Sequence, residues 1–554
     1  MRDKKAFTLV EMLAVVVVLA IISVFTFPAI NTINNNLSKD KYDRFIKVLN
    51  NAADSYIELN FEKYNNIDVQ YIDTKKLIEN GFLDENLINP KTKVNLKYES
   101  GIIVISKNVD KSFAYEYILN EYITIDKIED LLDLSKEIKN GNSYLNKIII
   151  LTDNLDFENI YSYKNSDSTL YGDINGDGVT NTIFLELTTI RGFSPIGDST
   201  HPFKGTFVGD GHLIDNIYIN RTAESYLGLF SSLDGAKISD LKLKGEINGN
   251  KNTGLLAGVA YNSNIVNVDV NMTSEYICTN CLDLNIGGLI GFARNIILKK
   301  INSNSTINIQ ANNIGGVIGW LENSQNITDI NSSVTINGNN RIGAAFGMVS
   351  SSSISNIISN GKVTGIKDVG GIVGTIQNTS NVLKSNNKAS IIGTNKVGGL
   401  VGNFIGSKLE LSYNNGEVSG GNEVGGLVGG TSDSIVNNCY SWGNVKGNSD
   451  VGGLIGGSLS ISLNNSYSVG NVIGSTLLTG GLVGNLTNST IKYSYFNLNK
   501  TSQTAVIGTM SAGTITSSNG LSDDNMKNKL SYAGWDFTDV WFLSENSYPL
   551  IALH

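Results

Sequence analysis

Cysteine, histidine and proline are scarce in this chain of 554 residues, which contains three cysteines, three histidines and five prolines. So few thiols and imidazoles sharply limit zinc sites and cysteine nucleophiles. The 58 glycines and the few prolines favour turn-dense β structure over disorder, because 41% of the residues are hydrophobic. The length predicts several domains or a repeat array.

Strong charge of either sign is also missing. The formal net charge is −9, and the charged residues are spread along the chain. A protein that grips nucleic acid normally presents a basic stripe, so nucleic acid is not an expected partner. Arginine nearly disappears after Arg221, with Arg294 and Arg341 as the only later copies.

A long apolar run stands at the N-terminus. A basic leader, residues 1–6, is followed by a segment that is apolar as far as Phe27 and contains one acidic residue, Glu11. At roughly 20 apolar residues per crossing, residues 7–30 predict a transmembrane helix. No small-residue cleavage site stands out after the run, as an ordinary secretory signal would require.

The letters AFTLVE at residues 6–11, with Pro28 further on, resemble the class III leader of type IV pilins and pseudopilins. The resemblance implies cleavage between Ala6 and Phe7 by a prepilin peptidase and N-methylation of Phe7. It implies that Glu11 serves peptidase recognition and filament assembly. The implied partners are other pilin subunits and the pilus assembly machinery in the membrane. Ala6 departs from the family, which usually has glycine there; a signal anchor with an incidental Glu11 is the alternative.

Two smaller segments follow the apolar run. Residues 31–65 read as an amphipathic helix, because apolar residues recur at steps of three and four as far as Leu59. Residues 66–123 predict a small α+β head, similar to that of a pilin. Its expected elements are a helix at 73–83 and strands at 93–98, 101–106 and 112–119.

A repeat of 27 or 28 residues dominates the rest of the chain. The pattern Gly-Gly-(Leu/Ile/Val)-x-Gly starts at Gly287, Gly315, Gly370, Gly398, Gly425, Gly452 and Gly480. A degenerate copy at residues 342–347 fills the one gap. Each unit holds about three short strands, too few to bury their own apolar face, so stacking of units predicts an all-β parallel β-helix.

The repeat resembles the GLUG family of bacterial surface proteins and predicts about eleven stacked turns. We expect the solenoid to cover residues 124–525, starting with a capping helix at 126–139. Stacks of this kind need covered ends. The aromatic-rich segment 526–554 is therefore expected to cap the last turn.

Two motifs outside the repeat could carry chemistry. Asp173, Asn175 and Asp177 have the spacing that opens an EF-hand calcium loop, but its twelfth position is Phe184. Calcium is the only candidate cofactor; an Asx-rich turn is the alternative. Cys278 and Cys281 lie in an insertion and read as a local disulfide or as two free thiols.

Two further residues read as structural. Cys439 occupies a repeat position, which predicts a buried apolar filler. His212 follows a Gly-Asp-Gly turn beside Asp210, and a turn of the solenoid is a better reading of it than a catalytic pair.

These observations predict a non-catalytic minor or tip subunit of a type IV pilus that displays a β-solenoid for surface adhesion. A unit this large would pack poorly along a whole filament, which favours a minor or tip position. The precursor would lie in the cytoplasmic membrane and the mature solenoid outside the cell, facing an unknown surface, glycan or protein. The alternatives are a surface-displayed β-helix carbohydrate-active enzyme and a pseudopilin of a secretion or DNA-uptake system. The repeats show no charge cluster of the kind an enzyme would need.

The leader makes a direct prediction about the mature N-terminus. Mass spectrometry of the chain from cells with the prepilin peptidase should find a protein that starts at methylated Phe7. In cells without the peptidase the same chain should keep residues 1–6. An uncut chain in both strains would instead make the protein a membrane-anchored solenoid.

Overall fold

The computed structural model describes residues 39–60, 69–96, 101–107, 113–119, 122–157, 192–276, 283–474 and 478–552. They form two compact units, which divide after Tyr122. None of the helices in these ranges has both the length and the apolar character needed to cross a bilayer. The proposed leader and transmembrane segment, residues 1–30, lie outside the described ranges.

A helix and a small sheet build the first unit. Helix α1 covers residues 39–59, and its inner face buries Phe45, Leu49, Ala53 and Tyr56. Leu59, which the periodicity placed on the same face, is 79% exposed. The helix ends at this residue, and its last side chain lies beyond the face that the described residues of this unit cover.

The sheet of this unit has three antiparallel strands, β1 (Val69–Asp73), β2 (Gly101–Lys107) and β3 (Phe113–Leu119), in the order β1-β2-β3. Helix α2 (Thr74–Glu79) starts directly after β1, where the Asp73 carboxylate accepts a hydrogen bond from the Lys75 N–H at 2.7 Å. The strand expected at 93–98 is reduced, in the described residues, to a single bridge between Asn95 and Ile88.

The second unit is a parallel β-solenoid, as the repeat predicted, but it has about 13 turns rather than about eleven. At ~4.8 Å per turn its stack is roughly 60 Å long. Helix α3 (Ile128–Lys139), expected at 126–139, packs against its first turns. Ile128, Leu131, Leu134 and Ile138 of this helix belong to the same buried core as the strands.

Two sheets of the solenoid contain one strand from each successive turn. Sheet A has nine strands: Thr253–Gly254, Asp283–Gly287, Asn312–Gly315, Asn340–Gly343, Lys367–Gly370, Asn395–Gly398, Asn422–Gly425, Ser449–Gly452 and Thr479–Gly480. Sheet B has eleven: Phe230–Asp234, Ala257–Tyr261, Ile290–Arg294, Ile318–Glu322, Phe346–Ser350, Val373–Gln377, Val401–Ile405, Val428–Ser432, Ile455–Leu459, Val483–Thr487 and Ile507–Met510.

The remaining strands form sheet C, which wraps the rest of each turn and pairs in parallel from turn to turn. Its strands are Tyr122–Ile125, Ile148–Leu151, Leu155–Asp156, Thr206–Val208, Leu213–Arg221, Lys237–Gly249, Asn264–Glu275, Ile297–Ser303, Thr306–Asn308, Asn326–Asn337, Ser353–Thr364, Asn381–Leu383, Asn386–Asn387, Ser390–Ile392, Lys408–Glu410, Tyr413–Asn414, Val418–Ser419, Ile435–Asn437, Tyr440–Ser441, Val445–Gly447, Ser462–Asn464, Tyr467–Ser468, Val472–Gly474, Ser489–Lys492, Tyr495–Asn497, Gly513–Thr516 and Asn519–Leu521.

The register places like residues on top of one another. In sheet A, Val397 pairs with Val424 and Val424 with Val451, and the glycine that follows each valine pairs in the same way. In sheet B, Val401 pairs with Val428 and Val428 with Ile455. All six side chains are fully buried, so each turn covers the apolar interior of its neighbour.

The glycine pairs stand where the backbone leaves sheet A for sheet B. A Cβ on Gly425 would collide with the carbonyl oxygen of Val428 in its own turn and would lie 2.7 Å from Gly456 N in the next turn. A Cβ on Gly429 would collide with Lys396 and Val397 of the preceding turn. The motif therefore exists because turns at this corner pack backbone against backbone.

At other corners of the solenoid, serines of successive turns lie above one another in columns and are joined by hydrogen bonds. The Ser407 Oγ accepts the Ser380 N–H at 3.3 Å, and the Ser434 Oγ accepts the Ser407 N–H at 3.2 Å. Each Oγ also donates within its own turn, as Ser407 does to the Ile405 carbonyl at 2.7 Å. One hydroxyl thus ties two turns together, and it both accepts and donates a hydrogen bond.

Cys439 occupies a serine position in a second such column. It is fully buried, as predicted, and its Sγ lies 3.2 Å from the Asn437 carbonyl oxygen. The Ser412 backbone N–H, in the preceding turn, bonds to this sulfur, and the Cys439 N–H bonds to the Ser466 Oγ at 3.1 Å. The thiol therefore acts as a hydrogen-bonding group as well as a filler.

The C-terminal segment lies elsewhere than expected. Instead of covering the last turn, it lies along the side of the final turns, over an outward column of stacked tyrosines. Tyr413 and Tyr440 stack at 4.7 Å, the Tyr467 hydroxyl donates to the Pro549 carbonyl at 2.6 Å, and Trp541 Nε1 donates to Asn438 Oδ1 at 3.3 Å. The rings of Trp535 and Trp541 pack against this column, where aromatic side chains bury a large apolar surface.

Helix α4 (Leu498–Thr501), two short 3₁₀ helices (Asn525–Lys527 and Lys529–Ser531) and a two-stranded sheet (Trp541–Phe542 with Leu550–Ile551) complete the described elements.

The serine columns predict how substitutions at Cys439 behave. Cys439→Ser keeps an acceptor for the Ser412 N–H and should leave the free energy of unfolding within about 1 kcal/mol of wild type. Cys439→Ala removes the acceptor and should cost about 1–3 kcal/mol. Denaturant unfolding of both variants checks this. Equal losses would mean that the volume of the sulfur, rather than its hydrogen bond, matters.

Candidate functional site

In eight successive turns the residue two positions before the first glycine of the motif, in or next to the strand of sheet A, has a left-handed backbone. We call these residues the corner column: Asn252, Asn285, Asn313, Arg341, Asp368, Lys396, Glu423 and Asp450, with φ between 50° and 62°. The parallel register of sheet A stacks them one above another.

The early part of the corner column is an amide ladder. Asn285 Nδ2 donates to Asn252 Oδ1 at 2.7 Å, and Asn313 Nδ2 donates to Asn285 Oδ1 at 2.8 Å. Asparagine tolerates the left-handed conformation better than other non-glycine residues. The backbone therefore accounts for asparagine here without any ligand.

The later part of the corner column is charged. Asp368, Lys396, Glu423 and Asp450 follow Arg341 in successive turns. Aspartate tolerates the left-handed backbone as asparagine does, whereas the longer side chains of Arg341, Lys396 and Glu423 are not favoured there. Residues that keep a costly conformation against local preference are candidates for function. The expectation that the repeats contain no charge cluster is therefore wrong, because charges 27 or 28 residues apart become neighbours on the solenoid.

A notch lies beside this charged row on the outer face of sheet B. One outward position runs through Asn403, Gly430, Gly457 and Asn485 in successive turns. The two glycines have no side chain, so the asparagines flank a cavity of about 370 Å³. A Cβ on Gly430 would collide with Glu423 Oε2, so this glycine makes room for the carboxylate to fold over the face.

Polar groups converge on the notch. Lys396 Nζ lies 3.8 Å from Glu423 Oε2 and donates to Asn403 Oδ1 at 3.2 Å. Asp450 also lines the cavity, and its buried Oδ1 accepts no hydrogen bond from the described residues. The notch thus offers two carboxylates, one amine and two amides to a ligand.

Burial controls the acidity of this row. Desolvation raises the pKa of the Glu423 carboxyl; Lys396 lowers it, and Asp450 raises it further. Desolvation likewise raises the pKa of Asp368, whose Oδ2 accepts a hydrogen bond from Thr375 Oγ1 at 3.3 Å. Both carboxyls therefore hold their proton more tightly than in water.

The same outer face is aromatic in earlier turns. The Phe292 ring packs edge-on against the Trp320 ring at 5.4 Å and lies 5.9 Å from the Tyr261 ring. Arg294 pairs with Glu322 at 2.6 Å beside them, with its guanidinium over Phe292 at 5.4 Å. The outer face of sheet B thus runs from an aromatic patch to a polar notch.

A second polar groove lies on sheet C, with a cavity of about 520 Å³. It is lined by an amide ladder in which Asn331 Nδ2 donates to Asn302 Oδ1 at 3.0 Å and Asn302 Nδ2 to Asp269 Oδ1 at 2.7 Å. Lys244 at its rim is paired with Asp215 at 3.1 Å. The Asn331, Asn302 and Lys244 side chains are thus engaged by neighbouring residues, whereas the Asp450 Oδ1 in the notch accepts no hydrogen bond from the described residues.

The residues proposed from sequence as sites all lie outside the described ranges. They are Ala6, Phe7, Glu11, Asp173, Asn175, Asp177, Cys278 and Cys281, and their roles stay predictions. Within the described ranges no group of three or more His, Cys, Asp or Glu side chains is placed to hold a metal ion. His212 follows a tight turn, in which its N–H donates to the Gly209 carbonyl at 2.8 Å.

The sequence contains a pattern that predicts the charged row. The letters DVGG, KVGG, EVGG and DVGG occur in four successive repeats, starting at Asp368, Lys396, Glu423 and Asp450. An alignment of the repeats places these four charged residues in one column. The glycines at 430 and 457 are harder to find, because glycine is common throughout the array.

Comparison with known proteins identifies the N-terminus. Residues 1–27 match the family model described as the prokaryotic N-terminal methylation motif. This motif indicates a precursor that is anchored in the membrane, processed by a peptidase and then exposed at the surface with other pilins.

Two further comparisons concern the body of the chain. Halomucin of Haloquadratum walsbyi is 32% identical over 139 residues, which is 24% of this chain and 1% of halomucin. The chain thus spans about one hundredth of that relative. A crystal structure from Bacteroides ovatus named "putative immunoglobulin A1 protease" matches with 16% identity, 77% of this chain and 91% of that chain covered, and a TM-score of 0.25. A TM-score this low carries no argument.

The class of protein follows from the motif and the fold together: a β-solenoid whose chain starts with a prepilin-type methylation motif. More particularly, the chain is consistent with a type IV pilin-like surface protein that carries a solenoid of about 13 turns.

The raised pKa of Glu423 predicts a pH effect on stability. The folded state binds this proton more tightly than the unfolded chain does, so the carboxyl lowers stability as pH rises above the unfolded value. Glu423→Gln removes this loss. The variant should gain stability relative to wild type between about pH 4 and pH 7.

The exposed Glu417 offers the matched control. Thermal unfolding midpoints of Glu423→Gln and Glu417→Gln at the two pH values check the prediction. A Glu423→Gln variant whose difference from wild type does not change with pH would contradict it.

Proposed function

We propose that this chain is a non-catalytic minor or tip subunit of a type IV pilus that displays its solenoid for adhesion. The observation that carries the proposal is the prepilin methylation motif on the same chain as a solenoid of about 13 turns. The motif would direct the chain to the pilus assembly machinery, and the solenoid would provide the surface that contacts a ligand. The repeats, which resemble GLUG repeats, fit a protein exposed outside the cell.

The size of the solenoid favours a minor or tip position. A stack of roughly 60 Å on every subunit would crowd its neighbours in a regular filament. At the tip, or as an occasional subunit, the same stack has room.

The outer face of sheet B is the surface that we assign to adhesion. It presents stacked groups at the turn spacing of ~4.8 Å, with aromatic rings in early turns and the notch beside Glu423 in later ones. Rings and hydrogen-bonding groups repeated along a line suit an extended, hydroxyl-rich polymer. A glycan is therefore the ligand class that this face supports best.

A carbohydrate-active enzyme is the second candidate, and one observation favours it. Glu423 and Asp450 lie in adjacent turns and line one cavity, and hydrolysis of a glycosidic bond uses a pair of carboxyls, one of them a proton donor with a raised pKa. Turnover of a glycan by the purified chain, lost in Glu423→Gln, would establish this function. The same turnover in Glu423→Gln would exclude this pair.

Adhesion through sheet B predicts a specific loss. Gly457→Leu fills the notch, where its Cβ would meet only the flexible Glu423 side chain at 3.1 Å or more. We expect attachment of cells to a glycan-coated surface to fall at least about tenfold, since an occluded pocket loses several contacts. Filament number, counted by electron microscopy, should not change.

Ser462→Leu is the matched control, because it adds the same side chain to sheet C in the same turn, at a position where the preceding turn has Ile435. It should leave attachment intact. If deletion of residues 124–554 leaves attachment unchanged while filaments still assemble, the adhesive role is wrong.

A further inference from the structure

The last turn of the solenoid is open. Its strands, Ile507–Met510, Gly513–Thr516 and Asn519–Leu521, each pair with the preceding turn, and no strand of the described chain pairs with their other edge. All four residues of Gly513–Thr516 are exposed. Unpaired edges of this kind invite another chain, so proteins normally protect them.

The apolar interior is open at the same place. Ile515 continues the column of Ile491, and Met510 continues that of Leu486. Ile491 and Leu486 are fully buried, whereas Ile515 is 42% and Met510 43% exposed. The end of the solenoid therefore exposes the apolar interior, and the unpaired edges of the last strands surround it.

The usual protection of an edge is missing. Residues 501–522 contain no aspartate, glutamate, lysine, arginine or proline, although charges and prolines are the common devices that keep edges apart. The aromatic C-terminal segment could have covered this end, but it packs on the side of the final turns. The first turns, in contrast, are covered by α3.

We propose that two copies of this chain join end to end through their last turns, residues 507–521. A partner for this end must offer free strand edges at the spacing of the solenoid, apolar side chains between them and no charge. The last turn of a second copy offers all three, and the two neutral ends meet without the repulsion that a chain of net charge −9 would otherwise cause.

The contact closes at two copies. Because α3 covers the other end, a head-to-tail stack cannot grow, and the only arrangement left is an isologous pair about a two-fold axis. Facing strands would run antiparallel across the axis. This inference does not depend on the proposed pilus role; if both hold, solenoids on two filaments would bind each other.

Sedimentation of the full-length chain in detergent tests the proposal with one variant and one control. Ile515→Lys places a charge on the open end, while Ile435→Lys changes a side chain of similar exposure, 43%, on the outer face of sheet C. Wild type and Ile435→Lys should dimerise with the same Kd. Ile515→Lys should raise that Kd at least tenfold.

Hydrogen exchange on wild type gives an answer even if Ile515→Lys fails to fold. Amides of residues 513–516 should exchange more slowly at protein concentrations above the Kd than below it. A monomer at all concentrations, or a dimer unchanged by Ile515→Lys, would overturn the proposal. Protection of 513–516 that is independent of concentration would also overturn it, because the chain's own segments would then cover this end.

Discussion

Stacking of one turn on the next, with like residues above one another, is the interaction on which the rest of this structure depends. A turn alone cannot bury its apolar side chains, and each turn gains a covered interior only from its neighbours. The register also dictates composition: where backbones meet at the corner, as at Gly425 and Gly429, a Cβ would collide with the adjacent turn. The glycines of the repeat motif are therefore required by that close approach of backbones.

The same stacking turns scattered residues into columns. Serines 27 or 28 residues apart tie corners together, and tyrosines form a column that the aromatic C-terminal segment covers. Charges obey the same rule, so Lys396 and Glu423 become neighbours. A surface made in this way has a built-in period of ~4.8 Å, which is what an extended polymer can follow.

A solenoid built by stacking also has two ends, and in this protein one end is covered and the other is exposed. Helix α3 closes the first turns with four buried apolar side chains. At the last turn, Met510 and Ile515 stay exposed in positions that are core elsewhere. The asymmetry makes one end a contact surface and prevents unlimited growth from the other.

The repeat period, the parallel β-helix, a helix before the first turns and the prepilin motif could all be predicted from the amino-acid sequence, because each depends on the spacing of residues near one another in the chain. Which residues meet across turns depends on the three-dimensional stacking of the turns. In the folded chain, Glu423 and Asp450 line one notch, and Cys439 lies among hydrogen-bonding serines. The C-terminal segment packs on the tyrosine column. These outcomes depend on register and on competing packing surfaces, which no single repeat contains.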